Sequence, residues 1–154
     1  MDARSSTTEI TRLHPEDRPR WTELWQAYLA FYDTVLPDAQ YDDTWGRLLH
    51  DTAIHGLAAR QGGKLIGITH FLFHAHGWST APSCYLQDLY VDVDARGAGA
   101  GRALIGAVAD SAREKAAARM YWVTQSGNMV ARHLYDGIAT ESGFVKYDFK
   151  LDQK

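Results

Sequence analysis

The sequence is short of almost everything that marks a secreted, membrane-embedded or nucleic-acid-binding chain. Its 154 residues contain one cysteine, Cys84, so an internal disulfide is ruled out and a reducing, cytoplasmic setting is expected. No segment approaches the roughly 18 apolar residues of a membrane span, and Met1 to Thr8 lacks the apolar stretch of a signal peptide, so no membrane partner is expected. Lys and Arg number 16 against 19 Asp and Glu, a formal charge of −3 with no basic run. That balance gives no support to nucleic-acid binding and leaves cationic molecules as the better electrostatic match. Low-complexity tracts, internal repeats and linkers are also missing. With 45% hydrophobic and 12% aromatic residues, the chain reads as one domain over residues 1–154, loose only at residues 1–7. His70, His74 and His76 share one face of a regular strand, but no carboxylate or cysteine stands at companion spacing, so no metal is expected.

Glycine is plentiful in one place. The run from Asp88 to Leu104 passes from a β-rich stretch through Arg96, Gly97, Ala98, Gly99, Ala100, Gly101 and Arg102 into an amphipathic helix striped by Leu104, Ile105, Val108, Ala109 and Ala112. Glycines there allow successive N–H groups to converge on one anion, and the helix opening near Gly101 adds its unpaired first-turn N–H groups and positive dipole end. Arg96 and Arg102 bracket the loop with charge suited to phosphate oxygens. A nucleotide P-loop would close on Gly-Lys-Ser/Thr, whereas this loop closes on Gly101-Arg102-Ala103. The dinucleotide fingerprint fails as well, because Arg102 occupies its third small position. A pyrophosphate cradle of another kind remains.

Periodicity outlines the rest. A strand is expected over Glu9–Leu13 and a helix capped by Asp17 with Pro19 in its first turn, buried through Trp21, Leu24, Trp25, Tyr28, Leu29 and Tyr32 and ended by Pro37. A short helix from Asp43 to His50 follows, with Trp45, Leu48 and Leu49 inward, and then a hairpin, Gly56–Arg60 and Leu65–His74, around Gly62-Gly63. A loop from Gly77 to Pro82 leads to a central strand over Cys84–Val93, and after the glycine loop come a strand over Met120–Thr124, a helix capped by Asn128 running through Tyr135, and a closing strand over Phe144–Leu151. This order implies an α/β mixed sheet with helices on both faces.

Arg96-x-x-Gly99-x-Gly101 directly after Leu89-Tyr90-Val91 resembles the acetyl-CoA-binding motif of the GNAT superfamily of N-acetyltransferases. Leu24-Trp25 with Tyr28 and Phe31-Tyr32, Leu86 to Asp92, and Tyr121 to Thr124 followed by Asn128, Ala131 and Leu134-Tyr135 extend the likeness to the small histone and polyamine acetyltransferases over most of residues 8–151. The resemblance implies the GNAT fold, acetyl-CoA as cofactor, a primary amine as acceptor attacking directly in a ternary complex, and a homodimer. It also implies cofactor contacts from backbone N–H groups of Leu89, Tyr90 and Val91, from residues 96–102, and from Asn128, Ala131 and Tyr135. Tyr135 is the implied proton donor to the departing thiolate, and Asp88 is a candidate base, although Gln87 stands where related polyamine enzymes often carry Glu. Tyr28, Tyr32, Asp33 and His74 are candidate acceptor contacts, with Asp42 and Asp43 adding negative charge nearby. The segment 137–143 departs from the commoner pattern, in which Gly-Phe follows the tyrosine after only a few residues. Acetylation of protein lysines or N-termini, and a CoA-binding sensor without turnover, are the alternatives.

Overall fold

A computed structural model describes residues 7–152 of the chain. The loose start expected for residues 1–7 lies outside the described residues except for Thr7. The chain divides into two compact units, one extending to Val123 and one beginning at Thr124.

The first unit is a five-stranded sheet in the order β1-β2-β3-β4-β5. Its strands are β1 (Glu9–Arg12), β2 (His55–Gln61), β3 (Lys64–His76), β4 (Ser79–Val91) and β5 (Arg119–Tyr121), antiparallel throughout except that β5 runs parallel to β4. Helices α1 (Arg18–Phe31) and α2 (Asp38–His50) cover one face. Trp21, Leu24 and Trp25 of α1 pack with Tyr41, Trp45 and Leu48 of α2 on Ala58, Leu65 and Ile68 of the sheet. Helix α3 (Ala100–Glu114) covers the other face, placing Ala100 and Leu104 against Ala59 and Ile66. The expected mixed sheet with helices on both faces is therefore what forms. Trp21 is wholly buried and touches the rings of Trp25, Tyr41 and Trp45, so its truncation to Ala would cost about 3–5 kcal/mol.

Three local expectations change. Asp17 does not cap α1: its carboxylate takes two bonds from Arg60 (2.9 and 2.5 Å) and one from the His14 N–H (2.8 Å), and this stronger, charge-assisted set wins over the helix end. The second helix begins at Asp38, five residues early, because Pro37 is extended and serves as its N-cap rather than as a terminator of α1. The loop expected over Gly77–Pro82 shrinks to a tight turn at Gly77-Trp78, and Pro82, which has no N–H to give, sits where the β3–β4 register shifts between His74 and His76.

The second unit contains α4 (Met129–Asp136), with Asn128 accepting the Ala131 N–H at 3.4 Å as the expected cap. Arg132 ties the segment after α4 back to it through Glu141 (2.9 Å) and the Ser126 carbonyl (2.8 Å). The closing strand expected over Phe144–Leu151 does not form. Val145, Tyr147, Phe149 and Leu151 alternate with Lys146, Asp148 and Lys150, yet all four apolar side chains are more than 70% exposed. Alternation supplies two faces, but a strand also needs a neighbour for its N–H and C=O groups, and no strand of the described residues pairs here.

Burial opposes the charge on Asp17, but Arg60 and the His14 N–H outweigh it and hold the carboxyl below its ordinary value. A depressed folded pKa contributes stability that is complete above the unfolded value of about 3.9 and is lost as pH falls through the folded value. Asp17→Asn should therefore cost about 3 kcal/mol at neutral pH in urea unfolding and flatten the loss of stability below about pH 4. An unchanged midpoint with unchanged acid sensitivity would show that the pair carries no stability.

Candidate active site

The first unit brings together two groups that the sequence singles out. One is the glycine loop. β4 ends at Val91, a short 3-10 turn covers Val93–Ala95, and α3 starts at Ala100 with Gly99 as its N-cap. Gly97 and Gly99 have φ of 87° and 86°, a region that β-carbons disfavour, whereas Gly101 lies in the first helical turn and needs no such freedom. A β-carbon at Gly97 or Gly99 would meet no protein atom within 4 Å, so positive φ and the space above the loop, not crowding by the chain, ask for glycine. The first bond into α3 is Ala103 N–H to Gly99 O (3.0 Å), which leaves the first-turn N–H groups of Ala100, Gly101 and Arg102 facing outward with the helix dipole behind them. Ala98 and Arg102 are exposed. Arg96 is held in place: its Nε donates to the Val91 carbonyl (3.0 Å) and its guanidinium lies 5.3 Å from the Tyr90 ring.

The base of the loop is anchored by a pair that sequence reasoning missed. Arg20 of α1 donates to Asp92 and to the Leu65 carbonyl (3.1 Å), while Asp92 accepts the Asp94 N–H (3.2 Å) and sends its own N–H to Ile66 O (2.8 Å). The Arg20 hydrogen bond holds the Asp92 carboxyl below its ordinary value despite partial burial.

The second group lies on β4. β4 pairs with β5 only from Ser83 to Tyr85, and beyond that point it bonds to β3 alone. Because Asp92 N–H points to β3, strand alternation turns the backbones of Tyr90 and Asp88 to β3 as well, and turns Leu89 and Val91 to the open side. Asp88 O accordingly accepts from Thr69 Oγ1 (2.8 Å), and the Val91 carbonyl accepts from Arg96. A bulge puts both Leu86 and Asp88 opposite consecutive residues, Phe71 and His70, with Gln87 as the extra residue. Gln87 is exposed, and Asp88 is buried on the α1 side.

Asp88 Oδ2 is 2.8 Å from His70 Nδ1, and His70 Nε2 accepts from the Trp21 indole N–H (2.9 Å). Tyr28 interacts with the Asp88 carboxylate and reaches the Gln87 carbonyl at 3.5 Å, and its ring meets Tyr32 edge to face at 5.1 Å. Burial first, and then the charge of Asp88, push the phenols of Tyr28 and Tyr32 above their ordinary value, so both stay protonated donors at neutral pH. Tyr85 and Tyr121 stack at 4.9 Å, and the Tyr121 hydroxyl meets His74 Nε2 at 2.8 Å. Tyr28, Tyr32 and His74 thus stand in an aromatic, hydroxyl-bearing setting, to which Tyr85 and Tyr121 are unforeseen additions.

Other candidates lie elsewhere or serve other partners. Asp33 is an exposed residue of the turn after α1, at φ 52°. Asp42 is paired with Arg18 (2.7 Å) and Asp43 with Arg47 (2.9 Å), so the negative field expected from these aspartates is largely neutralised within α1 and α2. The three histidines have different partners: His70 is buried between Trp21 and Asp88, His74 meets Tyr121, and His76 packs on Trp78. Among the described residues no group of three or more His, Cys, Asp or Glu is arranged to hold a metal. Cys84 is buried, which pushes its thiol up to about 11 and makes it a poor nucleophile. In the second unit, Asn128, Ala131 and Tyr135 all belong to α4 or its cap, with Tyr135 half-buried at the penultimate position of the helix.

Residues 18–137 match the profile of the acetyltransferase (GNAT) family. The D-amino-acid N-acetyltransferase HPA3 of Saccharomyces cerevisiae is 34% identical over 141 residues, covering 90% of this chain and 88% of that protein. A crystal structure of the ribosomal-protein-alanine N-acetyltransferase from Brucella melitensis superposes with a TM-score of 0.76 at 26% identity, over 94% of this chain and all of that one. The aminoglycoside N-acetyltransferase AAC(6')-Iy, solved in complex with CoA, superposes with a TM-score of 0.83 over 98% of this chain and 99% of that one; at 19% identity it speaks for the fold alone.

The outward N–H groups, the two positive-φ glycines and the open space above them fit a pyrophosphate. Acetyl-CoA should raise the melting temperature of the wild type as ln(1 + [L]/Kd). Gly99→Val, forced from φ 86°, should stay folded but lose most of that shift in differential scanning fluorimetry. An undiminished shift in the folded variant would remove the loop from the cofactor site.

Proposed function

The chain belongs to the acetyltransferase (GNAT) family and is an acetyl-CoA-dependent N-acetyltransferase, and from that premise we propose that its acceptor is a small cationic primary amine of polyamine type, with Asp88 as base and Tyr135 as acid. The observation that carries the proposal is Asp88 itself: a buried carboxylate on the strand that parts from β5, paired with His70 and approached by tyrosines rather than by lysine or arginine.

Acetyl-CoA, when bound, supplies an acetyl group already activated as a thioester. Everything else falls to the chain. An aliphatic ammonium near pKa 10.4 costs roughly 4–5 kcal/mol to deprotonate at pH 7. Asp88 takes that proton directly or through water, Tyr28 and Tyr32 offer ring faces and hydroxyls to the cation, and the nitrogen is then free to form the new C–N bond as C–S breaks. The outward backbone of Leu89 and Val91 is the candidate donor set for the carbonyl oxygen, with the main chain of Tyr90 directed to β3. Residues 96–102 hold the pyrophosphate, Asn128 and Ala131 hold the pantetheine arm, and Tyr135 returns a proton to the sulfur. The cytoplasmic setting and the homodimer belong to the same reading; the exposed row of Val145, Tyr147, Phe149 and Leu151 supports a partner that covers it.

A second reading, a D-amino acid as acceptor, is favoured by the 34% identity to HPA3 and by Arg119, a cation on β5 whose charge acts on Tyr121 and whose guanidinium lies 6.0 Å from the Trp78 ring. Free-thiol release should separate the two. On the first reading kcat/KM for spermidine exceeds that for D-amino acids and falls as salt rises; a preference for D-amino acids that Arg119→Gln abolishes would replace it with the second.

For the acid role, Tyr135→Phe should lower kcat by about tenfold to a thousandfold with little change in acetyl-CoA affinity. An unaltered kcat under conditions where chemistry limits turnover would assign Tyr135 to packing.

A further inference from the structure

Trp21 and His70 are both wholly buried and take no part in the proposed chemistry, yet they form a line ending on Asp88. An indole nitrogen is only ever a donor. His70 Nε2 must therefore accept, its proton must sit on Nδ1, and that N–H donates to Asp88 Oδ2. A second proton on the imidazole would set N–H against N–H at 2.9 Å in a site without water access. The ring is also fixed laterally, 5.9 Å from the Trp21 ring and 5.8 Å from the Trp25 ring.

We propose that His70, locked by Trp21 as its neutral Nδ1–H tautomer, is a positioning residue that holds Asp88 by one carboxylate oxygen and presents the other to the acceptor amine. A proton taken from the amine then stays on Asp88, because the acceptor nitrogen of His70 is already occupied by the Trp21 N–H. The groups facing Asp88 are His70 from β3, Tyr28 and Tyr32 from α1, and, next to Tyr28, Tyr85 of β4 itself. Among the described residues no lysine or arginine pairs with the carboxylate, and the neutral His70 meets it as a hydrogen-bond donor. An acceptor ammonium therefore meets an anion not already neutralised by the chain.

The proposal rests on the reading of Asp88 as base, and its test keeps the two apart. In the wild type, two-dimensional 15N–1H spectra of the imidazole should find His70 protonated on Nδ1 alone at neutral pH. Protonation on Nε2 would overturn the lock without any variant being made. His70→Leu should lower kcat/KM for the amine on the order of a hundredfold and move its acid limb to higher pH, with acetyl-CoA binding unchanged. His70→Asn, whose amide nitrogen can stand in for Nδ1, should recover most of the rate and the original limb. Trp21→Phe should release Nε2 and let the ring proton distribute over both nitrogens. If Asp88→Asn is impaired while His70→Leu retains the wild-type rate and pH profile, His70 has no positioning role; if Asp88→Asn is unimpaired, the base assignment falls and takes this proposal with it.

Discussion

β4 bonds to β3 along nearly its whole length but to β5 for only three residues, and every other feature of the site follows from that early parting. Backbone N–H and C=O groups have to be satisfied by something. Where β5 stops, Leu89 and Val91 keep polar groups pointed at an open side, suited to an extended ligand with amides of its own. The Gln87 bulge then re-aims the strand so that Asp88 turns under α1, and Asp92, gripped by Arg20, fixes the point from which the glycine loop departs. One strand thereby carries an exposed backbone edge, a buried carboxylate and the entrance to an anion-binding helix.

The electrostatics are divided along the same line. Positive potential gathers at the loop, from the α3 N-terminus and from Arg96 and Arg102, and it suits phosphate. The negative charge that matters is Asp88, since Asp42 and Asp43 have arginine partners and Asp33 lies in an exposed turn. Tyr28 and Tyr32, kept protonated by burial and by that same charge, set neutral phenols instead of cations near the carboxylate. Arg20–Asp92 and Arg60–Asp17 hold α1 and its approach to the sheet, so the helix that bears Trp21 and Tyr28 is pinned at positions well separated in sequence.

What the sequence made legible was local. The loop, the start of α3 and the Asn128 cap depend on residues within a turn of one another, and each stands where the pattern puts it. Register is a different matter. That His70 pairs with Asp88 depends on a bulge at Gln87, which no periodicity announces; alternation along β3 relates His70 to His74 and His76 but does not reveal its partner across the strands. Asp17 has the residue type of a cap, but its choice of Arg60, 43 positions away, is a tertiary event. The segment Phe144–Leu151 shows the converse error: its alternation is that of a strand, and only a neighbour could have made it one.

The central claim is that Asp88 removes the acceptor's proton, and the pH dependence of Asp88→Asn tests it most directly. With saturating acetyl-CoA, kcat/KM for an aliphatic amine should be far below wild type near neutrality and should converge on it as pH approaches about 10.4, where the amine deprotonates without help. A deficit that stays constant across that range would contradict the account, because it would place the role of Asp88 in binding or packing instead of in proton removal.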